Sequence, residues 1–117
     1  MNLLESTCYA LSKVNLDNVK IYNTKSVTPL FDYCIIATSQ SSRQLDASVS
    51  NIEDEMYKNG FKVRGVEGKN GGSWILIDLN EVLVHIFYQD EREAYNLDSM
   101  WRNLETLDFD TILSNIK

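Results

Sequence analysis

Little in this 117-residue chain is of a kind that fixes a function at sight. It has one histidine, one proline and two cysteines. Cys8 and Cys34 form no CxxC pair and have no clustered histidines near them, so neither a zinc framework nor a disulfide scaffold is supported and both read as buried thiols. No apolar run approaches the ~20 residues that a membrane-spanning helix needs. The N-terminal stretch MNLLESTCYALSK has neither a basic start nor a continuous apolar core. The chain is therefore expected in the cytoplasm. Positive charge is also scarce: 11 Lys and Arg stand against 17 Asp and Glu, for a net charge of −6. Broad nucleic-acid binding depends on neutralising phosphates and is disfavoured, whereas a basic protein surface would be a good electrostatic match.

What the chain does have is core material. With 44% hydrophobic residues, residues 1–117 are expected to form one domain that buries roughly 65% of its unfolded surface. Leu4, Cys8 and Leu11, with Leu3, Ala10 and Val14 beside them, recur at helical spacing and predict an amphipathic helix over 2–14. VKIYN (19–23) reads as a short strand, and TKSVTPLFD as a loop holding the only proline, Pro29. YCIIATS (33–39) is nearly all apolar, as suits a central strand buried on both faces. Ser41 and Gln44 form a capping box ahead of the stripe Leu45, Val49, Ile52 and Met56, which stops at Gly60. Asp46, Glu53, Asp54 and Lys58 lie on the opposite face of that helix.

Residues 61–67 predict a further strand. The glycine-bearing GKNGG then leads into two apolar runs, Trp74–Asp78 and Val82–Tyr88, which read as a hairpin. With Leu79 and Asn80 as the turn, Asp78 pairs with Glu81, Ile77 with Val82 and Ile75 with Val84. Alternation puts an aliphatic set on one face and Trp74, Leu76, Asp78, Leu83, His85 and Phe87 on the other. After the polar run QDEREA, Asn96 is the expected cap of a last helix carrying Leu97, Met100, Trp101 and Leu104. Residues 105–117 are expected to hold a short helical tail with Asp110 as its cap. The sum is an α/β fold: a mixed sheet of about five strands with helices packed on it.

Catalytic motifs are weak. GVEGKNGG fails as a phosphate loop because Val63 stands where a glycine is needed and Asn70 where Ser or Thr is needed. His85 could pair only with Cys34 or Ser39, and no local motif supports either, so it reads as a structural or interface histidine. Asp32, Glu67 and Asp78 lie at strand boundaries but are not paired at close spacing, which favours turn-capping or partner-binding roles. Trp101 is assigned to the core. Trp74 shares a face with polar residues and suits an interface anchor.

DYCIIATSQSSRQ (32–44), VEG (66–68), WILID (74–78), VHIF (84–87) and REAYNLDSMW (92–101), in this order and spacing, resemble the ribosomal silencing factor family, also called iojap-related proteins. The resemblance implies a nucleotidyltransferase-like core without enzymatic activity or cofactor. It also implies attachment to the large ribosomal subunit through ribosomal protein L-fourteen, with little direct nucleic-acid contact, so that the small subunit cannot join when nutrients are scarce. Some members are dimers when free. Carried over to this chain, the contact residues are Glu67, Trp74, Leu76, Asp78, His85 and Tyr95, with structural roles for Arg43 and Arg92. The chain departs from the pattern in having Asn80 for a common glycine, Asp98 for a glutamate and a longer tail. The alternative, a nucleotidyltransferase-like enzyme with a nucleotide site, lacks the D-x-D pair such enzymes use to hold metal ions; the hairpin offers Asp78 alone.

Overall fold

A computed structural model describes residues 1–68 and 72–116. Most of GKNGG, the segment expected to be a connection and tested above as a phosphate loop, lies outside the described residues. The chain runs α1 (Leu3–Ser12), β1 (Asp17–Asn23), β2 (Tyr33–Ser39), α2 (Ser42–Asn59), β3 (Gly65–Glu67), β4 (Trp74–Asp78), β5 (Val82–Tyr88) and α3 (Glu91–Tyr95). A 3-10 turn (Leu97–Trp101), β6 (Thr106–Leu107) and α4 (Phe109–Ser114) follow.

The strands form one mixed sheet in the order β3-β4-β5-β2-β1-β6. Only β2 and β5 are parallel among the described pairs. The central position of β2 follows from its composition: Cys34, Ile35, Ile36 and Ala37 are all buried, so both faces of the strand need cover. The main core lies between the sheet and the α1–α2 layer. There Ile21, Ile35, Ile75, Ile77, Val84 and Ile86 meet Cys8 and Leu11 of α1 and the expected α2 stripe of Leu45, Val49, Ile52 and Met56. Lys13, the residue that caps the end of α1, reaches Glu55 of α2 at 3.0 Å, an ion pair whose carboxylate is buried.

Helix ends obey local chemistry. Asn2 and Glu5 form a reciprocal capping box, with Glu5 N–H donating to Asn2 Oδ1 (2.8 Å) and Asn2 N–H to Glu5 Oε1 (2.9 Å). At α2, Ser41 caps as expected, but Gln44 Oε1 accepts from the Gln40 N–H rather than completing the box at Ser41. Gly60 ends α2 at φ +79°.

Several expectations are corrected. The hairpin register is displaced by two residues: Ile77 pairs with Val84, Ile75 with Ile86 and Asp78 with Leu83, not Glu81. The cause is Leu79, which continues the aliphatic face and is buried. Just past the last paired residues, its N–H donates to Val82 O at 2.9 Å, and the turn moves on to Asn80 and Glu81. Asn80 takes the positive φ, +73°. A displacement of two preserves side-chain parity, so both faces keep the residues assigned to them.

The strand expected over 61–67 shrinks to Gly65–Glu67. β4 ends at Asp78, which already pairs with Gly65, so residues further upstream have no strand to join. A sixth strand, β6, pairs with β1 at Ile21 and Tyr22. Asn96 does not cap a last helix: it adopts a left-handed φ of +51° and closes α3, its N–H donating to Arg92 O. Asp108, not Asp110, caps α4, accepting from the Thr111 N–H at 2.9 Å.

Candidate functional site

The two faces of the sheet are covered unequally. Opposite the α1–α2 layer, Tyr22, Cys34, Ile36 and Phe87 form a smaller core, roofed by Phe31, Leu97 and Trp101 with Trp74 at its margin. This roof comes from the 3-10 turn and the loop before β2, and it spans only the middle of the sheet. Towards the β3 edge, Leu76, Asp78 and Leu83 remain half-buried and Glu67 is exposed.

Trp74 organises the boundary. It stacks on Phe87 across the β4–β5 pair with ring centroids 4.9 Å apart and planes 24° from parallel. Tyr95 closes over it at 4.7 Å and also lies 5.7 Å from Phe87. Its indole Nε1–H donates to His85 Nδ1 at 3.1 Å. In the corrected register this contact is diagonal, since Trp74 lies opposite Phe87 and His85 opposite Leu76. Tyr95 keeps 54% of its surface exposed and Met100 64%. Tyr95 thereby leaves an aromatic edge open to solvent beside half-buried Trp74 and Leu76.

The hydrogen bond from Trp74 fixes the state of His85. Burial pushes its pKa down to about 4, so the ring is neutral near pH 7. Because Nδ1 accepts, Nε2 must carry the proton. His85 is thus a positioning residue for the Trp74 ring and offers an N–H at Nε2. No cluster of His, Cys, Asp and Glu able to hold a metal is found among the described residues. Cys34 lies beneath this face, and burial raises its thiol to about 12, as it does for Cys8.

The segment carrying Tyr95 is anchored by a buried polar network. Arg92 grips Asp98 through Nε to Oδ1 (2.9 Å) and Nη2 to Oδ2 (3.0 Å), and its Nη1 reaches Asn18 O at 2.6 Å. Tyr22 Oη–H donates to Asp98 Oδ2 at 2.6 Å. Burial works to raise the Asp98 carboxyl, but the bonds from Arg92 and Tyr22 outweigh it and hold the group below its usual value. Arg92 therefore has the structural role expected of it. Its bond to Asp98 also explains the break at Asn96, because residues six apart on a continuous helix point to different sides.

Of the six residues singled out in the sequence, Glu67, Leu76 and His85 line up as direct cross-strand neighbours. Trp74 adjoins them, and Tyr95 arrives from α3. Two shallow hollows, of about 180 Å³ and 130 Å³, share Glu67 and Leu76 in their walls. Asp78 lies on the same face, but its carboxylate is engaged: Oδ2 accepts from Arg64 at 2.9 Å and Oδ1 from the Asn80 N–H at 2.8 Å. The sequence reading put Phe87 on this face by alternation without identifying it as the platform beneath Trp74, and it placed Met100, which is exposed, on the apolar side of a last helix.

The family model described as ribosomal silencing factor during starvation matches residues 1–117. The chain belongs to the ribosomal silencing factor family. A ribosomal silencing factor from Haemophilus influenzae is 36% identical over 101 residues, spanning 86% of this chain and 99% of that protein. One from Bacillus subtilis is 29% identical over 109 residues, spanning 93% and 92%. A crystal structure of a Chromobacterium violaceum protein matches with a TM-score of 0.81 at 27% identity, covering 90% of each chain. Ribosomal silencing factors are non-catalytic regulators of translation.

Proposed function

We propose that the chain docks on the large ribosomal subunit through the mixed face of its sheet, with ribosomal protein L-fourteen as its partner, and so keeps the small subunit from joining. The observation that carries this reading is the strip formed by half-buried Trp74 and Leu76 with exposed Tyr95 in a family member. Rigid aromatic anchors flanked by aliphatic surface supply much of the energy of protein interfaces. His85, itself buried, holds the Trp74 indole in place, while Glu67 and Asp78 add acidic groups towards the sheet edge. The net charge of −6 favours approach to a basic ribosomal protein and disfavours direct contact with RNA.

The mechanism is occupancy in the cytoplasm, where subunits meet: a bound domain fills the space needed for joining and repression requires no cofactor. On this reading the sheet is a nucleotidyltransferase-like core used as a docking platform. In the free protein the same strip is covered by a second copy, so self-association and docking compete. The test is subunit joining followed by light scattering, using the native chain and Trp74→Ala. The native chain should suppress joining and the variant should not. A native chain that binds large subunits yet leaves joining unchanged contradicts the blocking mechanism, and a fully active, stable Trp74→Ala contradicts the choice of face.

A further inference from the structure

Away from the Trp74 strip, the two parallel strands end side by side, Ser39 of β2 beside Tyr88 of β5. The chain leaves these ends towards opposite faces. After β2 it enters α2, whose apolar stripe joins the main core. After β5 it enters α3 and the 3-10 turn, whose Leu97 and Trp101 pack on the mixed face. Connections that diverge from adjacent parallel strands open a crevice at their carboxyl ends, which is where open α/β sheets hold ligands. Here the crevice is a cleft of about 430 Å³ whose lining residues are all polar or charged.

Its backbone is unusual as well. Four non-glycine residues have positive φ among the described residues, and three of them, Asn18 (+48°), Gln89 (+48°) and Asn96 (+51°), line this cleft. Asparagine adopts this region readily, so of the three only Gln89 holds a conformation that its surroundings must enforce.

Charges of both signs line the cleft. Lys20 lines the cleft and makes no ion pair among the described residues. Arg92, 8% exposed, has five N–H groups. Bonds to Asp98 Oδ1, Asp98 Oδ2, Asn18 O and Thr38 Oγ1 use four of them and leave one on Nη2. Asp90 and Glu93 also line the cleft without an ion pair among the described residues, whereas Asp98 is taken by Arg92 and Tyr22.

We infer that this cleft binds a small zwitterion of the free α-amino acid class. The carboxylate is received by Lys20 and the spare Arg92 N–H, and the ammonium by Asp90 and Glu93. The polar walls favour a small or polar side chain. No bond is made or broken. The inference goes beyond the ribosomal reading and is tested without ribosomes.

The experiment is titration of the full chain with glycine, serine, glutamine and aspartate, followed by amide NMR signals of Asn18, Gln89, Glu93 and Asn96. Acetate, methylamine and inorganic phosphate are run in parallel. At least one amino acid should give saturable shifts at millimolar concentration. Lys20→Ala and Glu93→Gln, both at exposed positions, should each weaken that binding by about tenfold while spectral dispersion is retained. The inference is overturned if no amino acid saturates, if acetate or phosphate binds as tightly as the amino acids, or if both variants bind like the native chain.

Discussion

His85 shows how one residue ties stability to the proposed contact. Its folded pKa of about 4 lies below the ordinary histidine value of 6.5, so the unfolded chain takes up the proton first as pH falls. Stability is therefore at its plateau above the unfolded value and declines from there down to the folded value. Between pH 7.5 and pH 5 the loss should be about 2 kcal/mol, measured by denaturant unfolding at both pH values. His85→Gln should flatten this slope; an unchanged slope would show that another group governs it. Protonation would also place a hydrogen on Nδ1, where Trp74 now donates, and so would release the indole.

Arg92 makes a second prediction at this scale. Arg92→Ala leaves Asp98 half-buried without its guanidinium partner and frees the Asn18 carbonyl. It should cost about 3 kcal/mol, the lower end for breaking a buried pair, since Asp98 is partly solvated. Unfolding with urea measures the loss, and an effect below about 1 kcal/mol would show the network to be incidental. Asp98 itself contributes stability above its unfolded pKa and loses it as pH falls through its depressed folded value.

Among the elements, the hairpin is where sequence reasoning was strongest and also where it slipped. The alternation of WILID and VLVHIFY defines two faces whatever the pairing, because parity survives an even displacement. Register depended on where the turn lay, and only the burial of Leu79 settles that. The same limit applies to α3: nothing local says that DEREA is helical, since its one buried side chain, Arg92, is held by Asp98 and by the backbone of a distant strand. Two-residue β6 has no periodicity to read. By contrast β2, α2 and the Gly60 stop were legible because burial, capping and glycine conformation all point the same way. Five of the six candidate residues were brought together by cross-strand alternation; Tyr95 reached them through the tertiary bond of Arg92.

Gly68 tests the edge of this hairpin. It sits at φ +84°, and a Cβ there would lie 2.1 Å from Trp74 O. Gly68→Ala should therefore destabilise by roughly 2 kcal/mol or more and disturb the β3–β4 pair beside Trp74, read as lost amide protection at Glu67 and Leu76. Asn80→Gly, in contrast, should change stability by less than about 0.5 kcal/mol, because Asn already tolerates the left-handed region that the turn requires. A large loss in Asn80→Gly would mean that its side chain, which accepts from Arg64 at 2.8 Å, matters more than its backbone.

The whole molecule is asymmetric. One sheet face is closed by α1 and α2 and carries the fold; the other is closed only in the middle, and its open margin holds the aromatic strip. That margin can be altered without emptying the main core, and the α2 face supplies a matched control, since Tyr57 on it is 88% exposed. The most direct test is co-sedimentation of the purified chain with large ribosomal subunits, comparing Trp74→Ala, Tyr95→Ala and Tyr57→Ala after each is shown to fold. The strip variants should lose binding by tenfold or more, as expected for anchor residues worth at least about 1.4 kcal/mol, and Tyr57→Ala should bind like the native chain. Loss of binding in Tyr57→Ala with both strip variants unaffected would contradict the account.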